Sequence, residues 1–233
     1  MVVPLTGSDR GPGPSGAAAG PAAPARIRRA ASAADWEAVR TLCCLTGDAG
    51  DPVDAARWPL FAELWIGPYQ RLAPAWTYVA DVGDRIAGYL TGCPDTRAFE
   101  RARRWHVTLP LLLRLALGRY RWNADARRFA RRALGLRRPA EARLAEARAA
   151  RLLDRYPAHL HMNVGAASRG RGIGAALLTR FLGDLVSTGI GGVHLLCGPG
   201  PRAFYLRAGF AELGALEARP GRVVYLLGRT ATD

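Results

Sequence analysis

The sequence contains no lysine. All 33 basic residues are arginine, set against 19 acids for a net charge of +14. A phosphate loop of the Gly-Lys-Ser/Thr kind is therefore excluded. Abundant Ala, Gly, Pro and Arg point to GC-rich codon usage as the reason lysine is missing. Cysteine is scarce: Cys43, Cys44, Cys93 and Cys197 include an adjacent pair but no C-x-x-C, which excludes zinc-knuckle spacing. Long apolar runs are missing as well. The longest candidate, 109–117, is broken by Arg114 and falls short of the roughly 18 residues a bilayer span needs. The first ten residues lack the basic-then-apolar order of a secretory signal, so a cytoplasmic location is expected. Of the four histidines (His106, His159, His161 and His194), His159 and His161 share one face if they lie on a strand. They read as core or cleft histidines before metal ligands, and no metal is expected.

A hydrophobic fraction of 49% with 22% charged residues is that of a chain able to bury a core, and 233 residues suit one domain with a tail. Arginine keeps its charge, grips phosphate and carboxylate with two prongs and stacks on aromatic rings. A charge of +14 thus invites an anionic partner: nucleic acid, a membrane surface or a phosphorylated cofactor.

Residues 1–25 are Gly, Pro, Ala and Ser with almost no large apolar group, and read as a disordered tail. The spacing predicts a strand over 26–30 and a helix capped by Ser32 to about Leu45. A second helix is predicted over 57–68, with Trp58, Phe61, Leu64 and Trp65 on one face. A hairpin follows over 76–93 around Gly83-Asp84. Residues 97–157 read as wholly helical and intensely basic. Strands are then predicted at 159–165, 193–197, 210–217 and 222–228, with helices at 171–187 and 201–208. Strands alternating with helices in the second half imply parallel pairing there, and hairpins make the rest antiparallel, a mixed-sheet α/β fold.

The strongest chemical signal runs from Val164 through Arg169-Gly170-Arg171-Gly172-Ile173-Gly174-Ala175. Here an apolar strand enters a glycine-rich turn that opens a helix with Leu177, Leu178, Phe181, Leu182 and Leu185 on its buried side. Glycines let the backbone approach a ligand and turn its N–H groups inward, and a helix start adds unpaired donors and partial positive charge. The product is a diphosphate site. A second motif, Phe204-Tyr205-Leu206-Arg207-Ala208-Gly209-Phe210, follows.

Together these motifs resemble those of the GNAT superfamily of N-acetyltransferases, Gln/Arg-x-x-Gly-x-Gly/Ala and Phe-Tyr-x-x-x-Gly-Phe. The stretches at 88–99 and 156–161 resemble a bacterial branch related to the acetyltransferase-like C-terminal domain of O-GlcNAcase. The resemblance covers roughly residues 26–230 and implies a single GNAT domain over 26–233, carrying the acyl-CoA N-acyltransferase fold with a helical insertion at about 97–157. It implies acetyl-CoA as cofactor, held by Met162, Asn163, Val164, Arg169, Gly170, Arg171, Gly172, Ile173, Gly174, Ala175, Phe204 and Tyr205. It also implies a reaction in which an amine acceptor, a small molecule or a peptide, attacks the thioester directly. Tyr205 is the implied acid for the departing thiolate; with a phenol pKa of about 10 it keeps a proton to give. Asp95 is the first candidate base or substrate anchor and His161 the second. Trp76 and Trp105 are candidate walls of the acceptor pocket, with burial in the core as the alternative.

The sequence also departs from the pattern. Gly198 replaces an asparagine, Pro201 an alanine, and Asn163 stands where related strands carry an acid. An amide cannot take a proton from the substrate. A silent acetyl-CoA-binding module therefore stays open as an alternative.

Residues 97–155 hold 17 arginines and five acids, a net +12, which leaves +2 for the rest of the chain. Arg127/Arg131 and Arg128/Arg132 lie one helical turn apart, and each like pair costs about 0.2–0.5 kcal/mol. The bland reading is a solvated helical face. The functional readings are an acidic acceptor, the 3′-phosphate end of the coenzyme, or nucleic acid stacking on Trp105, Tyr120, Trp122 and Phe129. No nucleic-acid motif supports the last, and it is disfavoured. No membrane partner is expected, and a homodimer is compatible with the sequence.

Overall fold

The computed structural model describes residues 25–135, 151–219 and 222–231. Apart from Ala25, the tail expected at 1–25 lies outside the described residues, as do residues 136–150 of the basic insertion.

One seven-stranded sheet organises the chain, with strands β1 (Arg26–Arg29), β2 (Thr77–Val82), β3 (Arg85–Cys93), β4 (Ala158–Val164), β5 (Gly192–Cys197), β6 (Ala211–Arg219) and β7 (Arg222–Thr230). Their order is β1-β2-β3-β4-β5-β7-β6, and every neighbouring pair is antiparallel except β4 and β5. The mixed sheet expected from the alternation of elements is thus present.

Side chains alternate across the strands, so each face collects its own core. On one face α1 (Ala33–Leu45) and α2 (Trp58–Trp65) lay Trp36, Val39, Leu42, Phe61 and Ala62 against Val79 and Tyr89. On the other, α7 (Ile173–Ser187) buries Leu177, Phe181 and Leu185 on Tyr78, Leu90, Leu160 and Val193. Helix α1 begins in a reciprocal capping box, in which Ser32 accepts the Asp35 N–H and Asp35 accepts the Ser32 N–H. Asp35 also takes both terminal nitrogens of Arg28, at 2.8 and 2.7 Å, tying the helix start to the edge strand.

Two helical expectations are corrected by structure breakers. The helix predicted over 57–68 ends as α2 at Trp65, and a short helix α3 (Gly67–Leu72) restarts with Pro68 in its first turn. Proline has no N–H to continue the ladder of the preceding helix, but it suits a helix start. The insertion is not wholly helical either. It contains α4 (Thr96–Arg103), a π-helical turn at Arg104–Thr108, α5 (Leu109–Ala116) and, after a loop, α6 (Ala124–Ala133). Pro110 cannot donate to the residue four before it, and the helix accommodates this as a widened turn. Gly118, with φ at +72°, ends the rod. Asn123 Oδ1 then accepts the N–H groups of Asp125 and Ala126, both at 3.0 Å, to start α6.

The insertion docks on α2 through a small core of Leu60, Leu111, Leu115, Ala126 and Ala130. Two ionic clips reinforce it. Arg57 on the scaffold donates to both oxygens of Asp125 in α6, at 2.7 and 3.1 Å. Glu63 in α2, buried, faces Arg40, Arg71 and, at 3.7 Å, Arg114 of α5. Burial alone would raise the Glu63 carboxyl, but Arg71 and Arg40 hold it below its usual value.

Candidate active site

The parallel neighbours β4 and β5 pair only through Ala158↔Val193 and His159↔His194. Beyond that point they part. Strand β4 continues on β3 as far as Val164↔Gly88, and β5 continues on β7 as far as Cys197↔Tyr225. A wedge opens in the middle of the sheet, with the facing edges of Leu160–Val164 and Leu195–Cys197 unpaired by any described strand. Backbone groups left this way need partners, and an extended ligand can supply them as an added strand would.

The glycine-rich turn forms the mouth of the wedge. Gly170 and Gly172 have φ of +74° and +76°, a left-handed conformation that side chains with a Cβ adopt only under strain. Gly172 is the N-cap of α7 and offers no side chain to its first turn, so the N–H groups of Ile173, Gly174 and Ala175 lack a side-chain cap. A Cβ on Gly174 would lie 3.4 Å from Phe204 Cζ and 3.6 Å from Met162 Cε. Strand β4, the start of α7 and helix α8 (Pro199–Arg207) therefore meet at this glycine. Arg171 is exposed beside it. Arg169 is committed to structure: its guanidinium donates to Val164 O at 3.2 Å and Gly50 O at 3.0 Å, pinning the turn to the 47–53 loop.

Tyr205 lies on α8, on the α7 side of the sheet, packed between Phe204 and Phe210 with centroids at 5.0 and 5.5 Å. Its hydroxyl makes no hydrogen bond with another described residue. Burial, with Cys197 nearby as a lesser cause, raises its pKa well above that of a free phenol, so the proton is retained.

His161 and Asn163 point to the opposite side. Both surround the buried Tyr89, whose Oη lies 3.1 Å from His161 Nε2 and accepts from Asn163 Nδ2 at 3.0 Å. Trp65, 48% exposed at the end of α2, lies over the His161 ring with centroids 5.5 Å apart and planes 30° from parallel. Burial pushes His161 down to about 4, so the imidazole is neutral at pH 7. The wedge thus has an aromatic, uncharged rim on one face of the sheet and a protonated phenol on the other.

Three candidates fall elsewhere. Asp95 is exposed and caps α4, accepting the Ala98 N–H at 3.0 Å. It lies beyond Cys93↔His159, at the closed end of the wedge. The Asp95 carboxylate, the first candidate base or anchor, serves as the N-cap of α4 at the turn after Pro94. His159 sits beside it as a hub. Thr96 Oγ1 directs its own proton to Pro157 O at 2.7 Å, so His159 Nδ1 donates to Thr96 Oγ1 at 2.8 Å and Nε2 accepts from Tyr69 Oη at 2.9 Å. Trp76 packs on Phe181 on the α7 side, away from His161, and Trp105 stands 66% exposed on the insertion.

Sequence reasoning missed Tyr89 and Trp65. Tyr89 was legible only as an apolar strand residue, since its partners come from a strand 70 residues later. Trp65 was placed on the buried helical face. Its offset of one residue from Leu64 was the available signal that it lies at the margin of that face.

No protein-family model matches the sequence. Among solved structures, SsHAT is 30% identical and superimposes with a TM-score of 0.66, the match covering 90% of this chain and 100% of that one. A protein assigned to the GNAT acetyltransferase family from Desulfovibrio desulfuricans shares the fold at 18% identity and a TM-score of 0.52, over 89% of this chain and 99% of that one. Ard1 from Thermoplasma volcanium does so at 14% identity and a TM-score of 0.50, over 89% and 97%. With its parted parallel strands and glycine-capped helix, the chain belongs to the GNAT family of acetyltransferases.

Proposed function

We propose that the protein transfers the acetyl group of acetyl-CoA to a primary amine, with the donor threaded through the β4–β5 wedge. The observation that carries this reading is the wedge itself: two parallel strands that separate after two residue pairs, beside a helix capped by a left-handed glycine. The backbone of Met162, Asn163 and Val164 would pair with the pantetheine arm, and the N–H groups at 173–175 with the diphosphate, aided by the charge of Arg171. Met162 and Phe204 pack against Gly174 at the mouth, where a Cβ would lie within 3.4–3.6 Å of them.

Acetyl-CoA supplies an activated acyl carbon. The protein supplies a path for the proton on each side of it. On the α1–α2 side, neutral His161, Tyr89 and Asn163 receive the amine beneath Trp65 and hold it in its uncharged form. On the α8 side, Tyr205 retains the proton that the departing thiolate needs. A His161 held at about 4 is too weak a base to strip an ammonium ion by itself. The acceptor therefore enters as the free amine, and His161 orients it. The proton that nitrogen sheds as the C–N bond forms and the C–S bond breaks passes to water, and water returns one to Tyr205.

Calorimetry with acetyl-CoA, followed by thiol release across an amine panel, tests the reading. Micromolar binding and turnover with at least one amine are expected. Absence of binding would overturn it. Binding without turnover on any amine would favour a silent acetyl-CoA module, the reading suggested by Asn163, whose amide is already committed to Tyr89.

A further inference from the structure

The insertion carries a surface that acetyl transfer does not use. Residues 96–116 form one helical rod whose inner face, Phe99, Val107, Leu111 and Leu115, is buried. A surface rod should show polar residues on its other face. Here Arg101, Arg104 and Arg114 are exposed on it, but an apolar row stands among them. Trp105, Leu109, Leu113 and Leu117, each four residues from the last, are 66%, 45%, 61% and 75% exposed. That spacing lines them up in one row along the helix. Around the row and the adjoining helix stand Arg101, Arg104, Arg119, Arg121, Arg127 and Arg131, exposed and with no acidic partner among the described residues. At the end of the row Arg114, Leu117, Arg119 and Tyr120 line an open pocket of about 450 Å³.

Each possible occupant makes a different demand on this surface. A second copy docked by the same face would set arginine against arginine. Nucleic acid would engage the arginines and Trp105 but has no use for three exposed leucines. An anionic phospholipid surface uses every feature: leucines and tryptophan enter the acyl boundary, and arginines meet headgroup phosphates. The open depression at the end of the row sets Arg114 and Arg119 beside Leu117, a cationic edge next to an apolar one. No helix among the described residues is long and apolar enough to cross a membrane, so contact of this kind is peripheral.

Against the expectation of no membrane partner, we infer that the row Trp105-Leu109-Leu113-Leu117, with its arginine rim, docks the protein on anionic phospholipid bilayers. This docking is independent of what the wedge binds.

The test uses the full chain and vesicles of phosphatidylcholine alone or mixed with phosphatidylglycerol. Co-sedimentation is expected only with the anionic vesicles, and high salt should weaken it. The Trp105→Ala/Leu109→Gln/Leu113→Gln variant alters only exposed side chains and should keep the wild-type melting temperature. It should lose more than about tenfold in vesicle affinity. Brominated acyl chains should quench wild-type fluorescence and leave Trp105→Phe largely unquenched, although that variant still binds. Failure to bind anionic vesicles, equal binding to neutral ones, or wild-type vesicle binding by the triple variant would each overturn the proposal. So would dimerisation in solution that the triple variant abolishes. Duplex DNA that binds more tightly than vesicles, with the triple variant unaffected, would assign the surface to nucleic acid instead.

Discussion

At the scale of single residues, the site works through side chains whose protons are fixed by burial. Tyr205 keeps its proton because the ionised phenolate would be stranded among Phe204, Phe210 and the rest of the α7-side core. Tyr205→Phe preserves the packing and removes the proposed acid, so turnover should fall about 10²-fold or more while acetyl-CoA affinity stays put. Trp65→Ala should raise the acceptor KM by roughly tenfold and leave acetyl-CoA binding unchanged, since the ring lies over His161, on the face proposed to receive the amine. An equal loss of acetyl-CoA affinity would place Trp65 in the donor site instead.

The buried histidines set the pH behaviour. His159 and His161 are pushed down to about 3 and 4, chiefly by burial, from an ordinary value of 6.5. Below pH 6.5 the unfolded chain gains protons that the folded chain refuses, so stability must fall as pH drops from there toward 4. The melting temperature is expected to decline over that window, before the carboxylates begin to titrate. A flat profile between pH 7 and 5 would contradict the burial of both rings. Activity should show no inflection near 6.5 and should instead rise with pH as the acceptor's ammonium form loses its proton. A bell centred on neutral pH would mean that His161 titrates as a base.

At the scale of elements, much was readable in advance because short-range chemistry decides it. Ser32 with Asp35, the Gly83-Asp84 turn, the buried stripe of Leu177, Phe181 and Leu185, and the glycines at 170 and 172 each specify a local conformation through their own sterics or hydrogen bonds. The breaks at Pro68, Gly118 and Asn123 obey the same rules but were hidden inside strongly periodic stretches. Gly92 shows what sequence cannot supply. A Cβ there would sit 2.5 Å from Phe181 and 2.8 Å from the His159 carbonyl oxygen. Gly92→Ala should cost about 1–3 kcal/mol in denaturant unfolding by wedging α7 off the sheet. Gly172→Ala has open space but a left-handed φ, so its penalty of about 1 kcal/mol should come with weaker coenzyme binding. Asp95→Asn keeps the helix cap and removes the charge. Its expected signature is unchanged stability and unchanged turnover, and a large loss of turnover would restore Asp95 as a base.

At the scale of the whole molecule, a near-neutral scaffold carries a strongly basic insertion docked on α2. The two are joined by the small core on Leu60 and by the Arg57–Asp125 and Glu63–Arg114 clips. Asp125→Ala strands Arg57 and should loosen α5 and α6 in hydrogen exchange while the sheet remains protected. Uniform loss of protection would show that the insertion and scaffold unfold as one unit.

The sequence by itself determined the order of elements, the glycine-capped helix, the Phe-Tyr helix and the concentration of charge between residues 97 and 155, because each depends on neighbours a few positions away. Tertiary structure decided the rest. It set Asp95 at a helix cap, gathered Trp65, Tyr89 and His161 on one face of the sheet, and left one apolar row of a basic helix facing outward. Those outcomes depend on which strands part, which faces find a partner and which do not. Such choices are made by packing between segments far apart in the chain, and no local pattern encodes them.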